Sequence, residues 1–206
     1  MTRLFVVRHG QTDWNLAGRL QGSSDIPLND TGRAQARAAR DSLWPALDGD
    51  PVVVSSTLGR AMETADIIVG DRGCELHRDA RLGERRYGHW EGLLAHERAE
   101  RFPDDHSAWM AGFEPDFDGY ERHETVAARM SAAAHEWVSR VSGDLVLVAH
   151  GSSGRMLLLS LLGLPLTGRT LGKLENAAWS RLAPAAGGGW SLERHNVGAP
   201  AVEVAR

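Results

Sequence analysis

Four short apolar runs stand out along the chain: Leu4 to Val7, Val52 to Ser55, Leu145 to Ala149 and a weaker Glu75 to Arg78. Runs of this length without polar alternation predict strands covered on both faces. Between them apolar positions recur at helical spacing. The pattern predicts helices over Arg33 to Trp44, after the capping candidates Asp30 and Thr31, and over Leu58 to Val69, after Ser56 and Thr57 and stopped by Gly70. Two more are predicted at about Val126 to Val141 and Ser153 to Leu162, the second ended by Gly163 and Pro165. Strand alternating with helix along one chain predicts an α/β fold, a three-layer α/β/α arrangement around a mainly parallel central sheet. Trp179 to Leu182 and Trp190 to His195, on either side of Gly187-Gly188-Gly189, read as an edge hairpin. Residues 95–124 fit least well. With Pro103, Pro115, Gly112, Gly119 and the aromatics Trp109, Phe113, Phe117 and Tyr120, they read as a lid inserted into a single domain covering 1–206.

Composition narrows the partners. The 206 residues carry 23 Lys plus Arg against 27 Asp plus Glu, a formal net charge of −4. Such a balance, with no cationic run longer than Arg85-Arg86, argues against nucleic acid and against an anionic membrane surface. The longest apolar run, Met156 to Leu166, is interrupted by Ser160, Gly163 and Pro165 and is far short of a membrane span. Cys74 is the sole cysteine, so no internal disulfide forms and a reducing cytoplasm is the expected compartment; a homodimer is compatible with the sequence. Lys173 is the only lysine, which leaves 22 arginines; the bulk of them reads as codon usage in a GC-rich genome.

Position singles out a few. In open parallel sheets the ligand site lies beyond the carboxyl ends of the strands. The first strand runs into Arg8-His9-Gly10, the second into Ser55-Ser56-Thr57-Leu58-Gly59-Arg60, the third strong one into His150-Gly151. Two arginines and two histidines therefore converge on one sheet edge. Guanidinium forks hold phosphoryl oxygens, and an imidazole can attack phosphorus and carry the group covalently. Gly10 and Gly151 are expected to let the backbone approach the oxyanion. Zinc motifs fail on spacing: His96-Glu97, His123-Glu124 and His135-Glu136 each lack the second histidine.

Taken together these segments resemble the histidine phosphatase superfamily, also called the phosphoglycerate mutase-like family. Arg8-His9-Gly10-Gln11-Thr12 with Asn15 is similar to the family signature, continued by Arg19-Leu20-Gln21-Gly22. Further matches are Pro27 to Ala36, Ser55 to Ala65, Leu82-Gly83-Glu84 with Gly88-His89-Trp90-Glu91-Gly92, and Val148-Ala149-His150-Gly151; Asn176 sits where the family often has an Asn. The resemblance implies that His9 is the nucleophile that becomes phosphohistidine and that Glu84 is the general acid and base. It implies that Arg8, Arg60 and His150 form the phosphate pocket, with Asn15, Gln21, Gly22 and Gly151 as further contacts. It implies no cofactor and no metal, and a small phosphorylated organic substrate.

Within that family the expected activity is a phosphomonoesterase. Trp90-Glu91-Gly92 is phosphatase-like, and the chain lacks the longer insertions of the cofactor-dependent mutases. Glu84-Arg85-Arg86-Tyr87-Gly88 and Trp14-Asn15 have a mutase flavour, so phosphoglycerate mutase is the alternative, and a non-catalytic phospho-ligand binding protein the remoter one. The Gly-Glu-Ser segment of many relatives corresponds to Gly119-Tyr120-Glu121-Arg122-His123-Glu124-Thr125 in this chain, so the usual Ser contact is not expected. Trp14, His89 and the aromatics of 95–124 suggest a moderately large or cyclic leaving group.

Overall fold

The computed structural model describes residues 2–167 and 170–198. One six-stranded sheet, in the order β3-β2-β4-β1-β5-β6, runs through the middle. Its strands are β1 (Leu4–Arg8), β2 (Val52–Ser55), β3 (Glu75–Arg78), β4 (Leu145–Ala149), β5 (Trp179–Pro184) and β6 (Trp190–Val197). The first four are mutually parallel, and β5 and β6 add an antiparallel hairpin beside β1. The helices are α1 (Asp13–Ala17), α2 (Asp30–Leu43), α3 (Gly59–Val69), α4 (Ala95–Arg101), α5 (Pro103–Met110), α6 (His123–Arg140) and α7 (Gly151–Leu161). Among the described residues no helix is long and apolar enough to cross a membrane.

Strand pleating explains the unbroken apolar runs. Leu4, Val6, Leu145, Leu147 and Ala149 face one way, against Val126, Met130 and Ala133 of α6 and Met156 to Leu159 of α7. Phe5, Val7, Val53, Val146 and Val148 face the other way, against Leu43 of α2 and Ala61, Ala65 and Ile68 of α3. Both faces are covered, so neither alternates with polar residues.

Every expected strand and helix is present, with ends that move by up to three residues. The largest shifts, at α2 and α6, concern helix starts. α2 begins at Asp30 because Asn29, rather than Asp30 or Thr31, accepts the Gly32 amide at 2.9 Å. Three other helices are capped by carboxylates from elsewhere in the chain. Asp25 accepts the Gly59 amide of α3 at 2.8 Å, Glu114 the His123 amide of α6 at 2.7 Å, and Glu84 the Ser152 and Ser153 amides of α7 at 3.0 and 2.8 Å. No local side chain caps these three helices, so no local signal marked their first residues.

Residues 95–124 form α4 and α5 followed by an irregular stretch. Trp90, fully buried, anchors them through contacts with Trp109, Phe117 and Tyr120. Gly10 carries a constraint from another chain segment. A Cβ there would lie 2.3 Å from the Gly32 carbonyl oxygen, so its bareness seats the first turn of α2 against the loop after β1. Both partners are backbone and cannot step aside. Gly10→Ala is expected to cost about 3 kcal/mol of stability in chemical denaturation, against less than about 1 kcal/mol for the unconstrained Gly187→Ala.

Candidate active site

Strands β1, β4 and β2 lie side by side in that order with respect to β4, so their carboxyl ends deliver Arg8-His9, His150 and the Ser55 to Arg60 turn to one place. There Arg8, His9 and Arg60 line a cavity of about 440 Å³. A broader depression of about 1130 Å³ lies at the other end of the sheet, by Trp44, Cys74 and Trp137, and holds none of the converging residues.

His9 is buried at 2% exposure, and its ring lies 5.1 Å from that of His150. Its Nδ1 stands 2.6 Å from the Gly10 carbonyl, which can only accept, so Nδ1 carries the proton and Nε2 the lone pair. Burial, then the charges of Arg8 and Arg60, hold its pKa well below the ordinary 6.5. His150 is fully buried and shifted the same way, by burial first and then by its neighbours His9, Arg60 and Arg8. Its Nε2 meets Ser56 Oγ at 2.8 Å, and that hydroxyl also accepts the Leu58 amide. With the hydroxyl proton given to Nε2, His150 presents Nδ1–H.

Neither guanidinium is matched by a carboxylate. Arg60, with 0% exposure, donates to the carbonyl oxygens of Ser24 at 2.6 Å and Gly22 at 2.8 Å. Arg8 donates to the Leu174 carbonyl at 2.7 Å. Burial pulls both pKa values down from their usual level. Arg8 Nε, Arg60 Nε and His150 Nδ1 are buried polar atoms without a hydrogen-bond partner among the described residues. Buried charge with no carboxylate in hydrogen-bond contact, beside unpaired donors, is the electrostatic mould of an oxyanion. Gly151 fits that mould, since a Cβ would come within 3.3 Å of Arg8 Nε.

Glu84 enters from the loop after β3. Its carboxylate pairs with neither neighbouring guanidinium, Arg85 or Arg86, and accepts the Ser152, Ser153 and Arg85 amides. Arg129 of α6 fixes the loop. It donates to the carbonyls of Arg81, Gly83 and Glu84 at 2.6, 2.8 and 3.1 Å and grips Glu121 with Nε and Nη2.

Of the expected residues, Arg8, His9, Asn15, Gln21, Gly22, Arg60, Glu84 and Gly151 line the cavity. His150 sits just behind, against His9. Asn15 and Gln21 are tied into the wall: Asn15 Oδ1 accepts from Thr12 N and Asn176 Nδ2, and Gln21 Oε1 from the Thr12 hydroxyl. The aromatics divide. Trp109 lines the cavity, whereas His89 is stacked between Phe102 and Phe117 at about 4 Å and Trp14 packs over Gly92. Sequence reasoning missed Arg85, His123, Arg155 and Lys173, which add to the wall. Arg155 alone carried a signal, four residues after Gly151 on one helix face.

Residues 4–198 match the family model of the histidine phosphatase superfamily, branch 1. The chain belongs to the histidine phosphatase superfamily. It is 38% identical over 191 residues to a glucosyl-3-phosphoglycerate phosphatase of Mycolicibacterium vanbaalenii, covering 88% of this chain and 84% of that one. A probable phosphoglycerate mutase of Enterobacter is 30% identical over 206 residues, covering 94% and 92%. The solved structure of a mycobacterial glucosyl-3-phosphoglycerate phosphatase with VO3 superposes with a TM-score of 0.85 at 35% identity, covering 96% of this histidine phosphatase and all of its relative. The phosphomonoesterase reading fits these relatives better than the mutase reading.

Two measurements test this geometry. Arg129→Gln loosens the loop that carries Glu84 without touching Arg8, Arg60 or His150, so kcat should fall by roughly 10- to 100-fold with KM changed less than about threefold. The buried imidazoles set a pH dependence of stability. Unfolded, each takes up a proton below about its ordinary 6.5, whereas the folded pair stays neutral. Unfolding thus binds protons in acid; this contribution is fully present above pH 6.5 and is lost as pH falls, by about 1.4 kcal/mol per unit for each histidine. Denaturant titrations from pH 7 to 5 should show that slope, and His150→Gln should reduce it.

Proposed function

We propose that this histidine phosphatase is a phosphomonoesterase that works through a phosphohistidine on His9, with Glu84 as general acid and base, on a small phosphorylated metabolite in the cytoplasm. The observation that carries the reading is the state of His9: neutral, Nδ1–H turned to the Gly10 carbonyl, Nε2 unprotonated, beside two buried guanidiniums. The phosphoryl oxygens are received by Arg8, Arg60 and the Nδ1–H of His150. Nε2 of His9 attacks phosphorus and forms the N–P bond as the ester P–O bond breaks. Glu84, protonated, gives its proton to the departing oxygen. Water then attacks the phosphohistidine, Glu84 takes the water proton, the N–P bond breaks, and inorganic phosphate leaves with both residues restored. The guanidiniums supply the positive charge that the transition state needs.

Asn15, Gln21, Gly22 and Gly151 complete the phosphate wall, and residues 95–124 act as the lid that selects the leaving group within a single catalytic domain. The substrate class named by the relatives, a glucosylated 3-phosphoglycerate, suits a cavity lined by Trp109, Lys173 and Arg155.

His9→Ala is expected to abolish phosphate release and the acid-labile phosphoenzyme trapped by rapid quench. Glu84→Gln should slow turnover by about 10²- to 10⁴-fold, and less for p-nitrophenyl phosphate, whose leaving group needs no proton. Unchanged phosphate release by His9→Ala would sink the mechanism, and binding without turnover in the wild type would favour a non-catalytic role.

A further inference from the structure

The catalytic cavity has a neighbour. A smaller cavity of about 190 Å³ adjoins it, and Trp109, His123 and Arg155 line both. Its far side is made by Met110, Phe113, Leu166 and Thr167, of which Met110 and Phe113 are among the few large apolar side chains left exposed. Exposed apolar groups gathered at the mouth of a cleft mark a binding surface more often than chance.

The junction is built of fixed parts. Trp109 is held edge-on to buried Trp90 at 5.8 Å and lies 5.2 Å from the Arg98 guanidinium. His123 accepts from Arg85 Nη1 at 2.7 Å, and Arg85, itself buried, also grips Glu114, Tyr120 and the Glu121 carbonyl. Arg155 is steadied by the Leu171 carbonyl at 2.9 Å. Lys173 stands on the catalytic side of the junction and makes no hydrogen bond or ion pair with another described residue. An aromatic plate and two cations thus meet where a leaving group would emerge from the phosphate pocket.

We propose that the two cavities form one cleft for a leaving group in two parts: a carboxylate-bearing three-carbon acid beside Lys173 and Arg155, and a sugar ring laid on Trp109 and extending toward Phe113 and Thr167. The inference rests on the phosphatase reading above and adds which residues tell a glycosylated acid from a plain one. Chemistry decides the order of the parts. A carboxylate is stable only next to the cations, and the C–H face of a sugar ring gains from an aromatic plate it can cover. A small ester fills the first compartment alone; a glycosylated one reaches the second.

The test compares kcat/KM for glucosyl-3-phosphoglycerate, for 3-phosphoglycerate, which lacks the sugar, and for glycerol 3-phosphate, which lacks the carboxylate as well. Trp109→Ala should lower the preference for the glucosylated over the free acid by about tenfold, with Trp109→Phe restoring it to within about threefold. Thr167→Trp, at an exposed position that fills the smaller cavity without disturbing the core, should lower the same ratio by a similar factor. Lys173→Gln should instead lower the ratio of 3-phosphoglycerate to glycerol 3-phosphate by about tenfold. Ratios unmoved in all three variants overturn the cleft and leave the phosphatase reading standing. A wild-type protein that hydrolyses p-nitrophenyl phosphate but neither phosphoglycerate overturns the substrate class and the cleft with it.

Discussion

Burying two guanidiniums without giving either a carboxylate is the constraint on which this structure turns. Arg60 is fully enclosed, and each of its Nη atoms is held by a carbonyl oxygen. Carbonyl dipoles soften the desolvation of a cation but do not neutralise it. The chain must therefore bring backbone to the arginines: Gly22 and Ser24 to Arg60, Leu174 to Arg8. Gly22 adopts φ +54 at that point, and a Cβ there would strike Glu91, whose carboxylate gathers the Ser23 and Ser24 amides. Loop courses far apart in sequence are set by the demands of two side chains. Burial first, and then the charges of these arginines, keep His9 and His150 neutral, so the same enclosure that suits an anion also leaves a lone pair available.

A second theme is the use of carboxylates as distant helix caps. Asp25, Glu114 and Glu84 each satisfy the opening amides of a helix to which they are not adjacent in the chain. A negative group at a helix N-terminus gains from the unpaired N–H groups and from the helix dipole. It also ties a loop to a helix. For Glu84 the tie places a carboxylate at the mouth of the cavity and leaves Arg129 to hold the loop behind it. Arg85 does the corresponding work for the inserted segment, joining the residue after Glu84 to Glu114, Tyr120 and His123.

What was legible in the sequence follows from this. Strands buried on both faces announce themselves as unbroken apolar runs, and Arg8, His9, Arg60 and His150 could be read because each sits just beyond such a run. The resemblance added Glu84, which nothing local distinguished from an acid beside two arginines. The starts of α6 and α7 escaped because their caps are remote, and the approach of Gly32 to Gly10, a contact between chain segments, has no local signal. Lys173 and His123 reach the cavity through loops whose course no periodicity encodes. Of the aromatics, only packing could tell Trp109, which faces the cavity, from His89, locked between two phenylalanines.

The single lysine, first noticed as a quirk of composition, has a practical side. Lys173 is exposed on the wall of the cavity that Arg8, His9 and Glu84 line. Among side chains an amine-directed reagent therefore has one address on this protein, and it is at the site itself. A fluorophore or photo-crosslinker installed there would report occupancy of the cleft without any engineered handle, and a ligand's protection of that one amine would map where it sits.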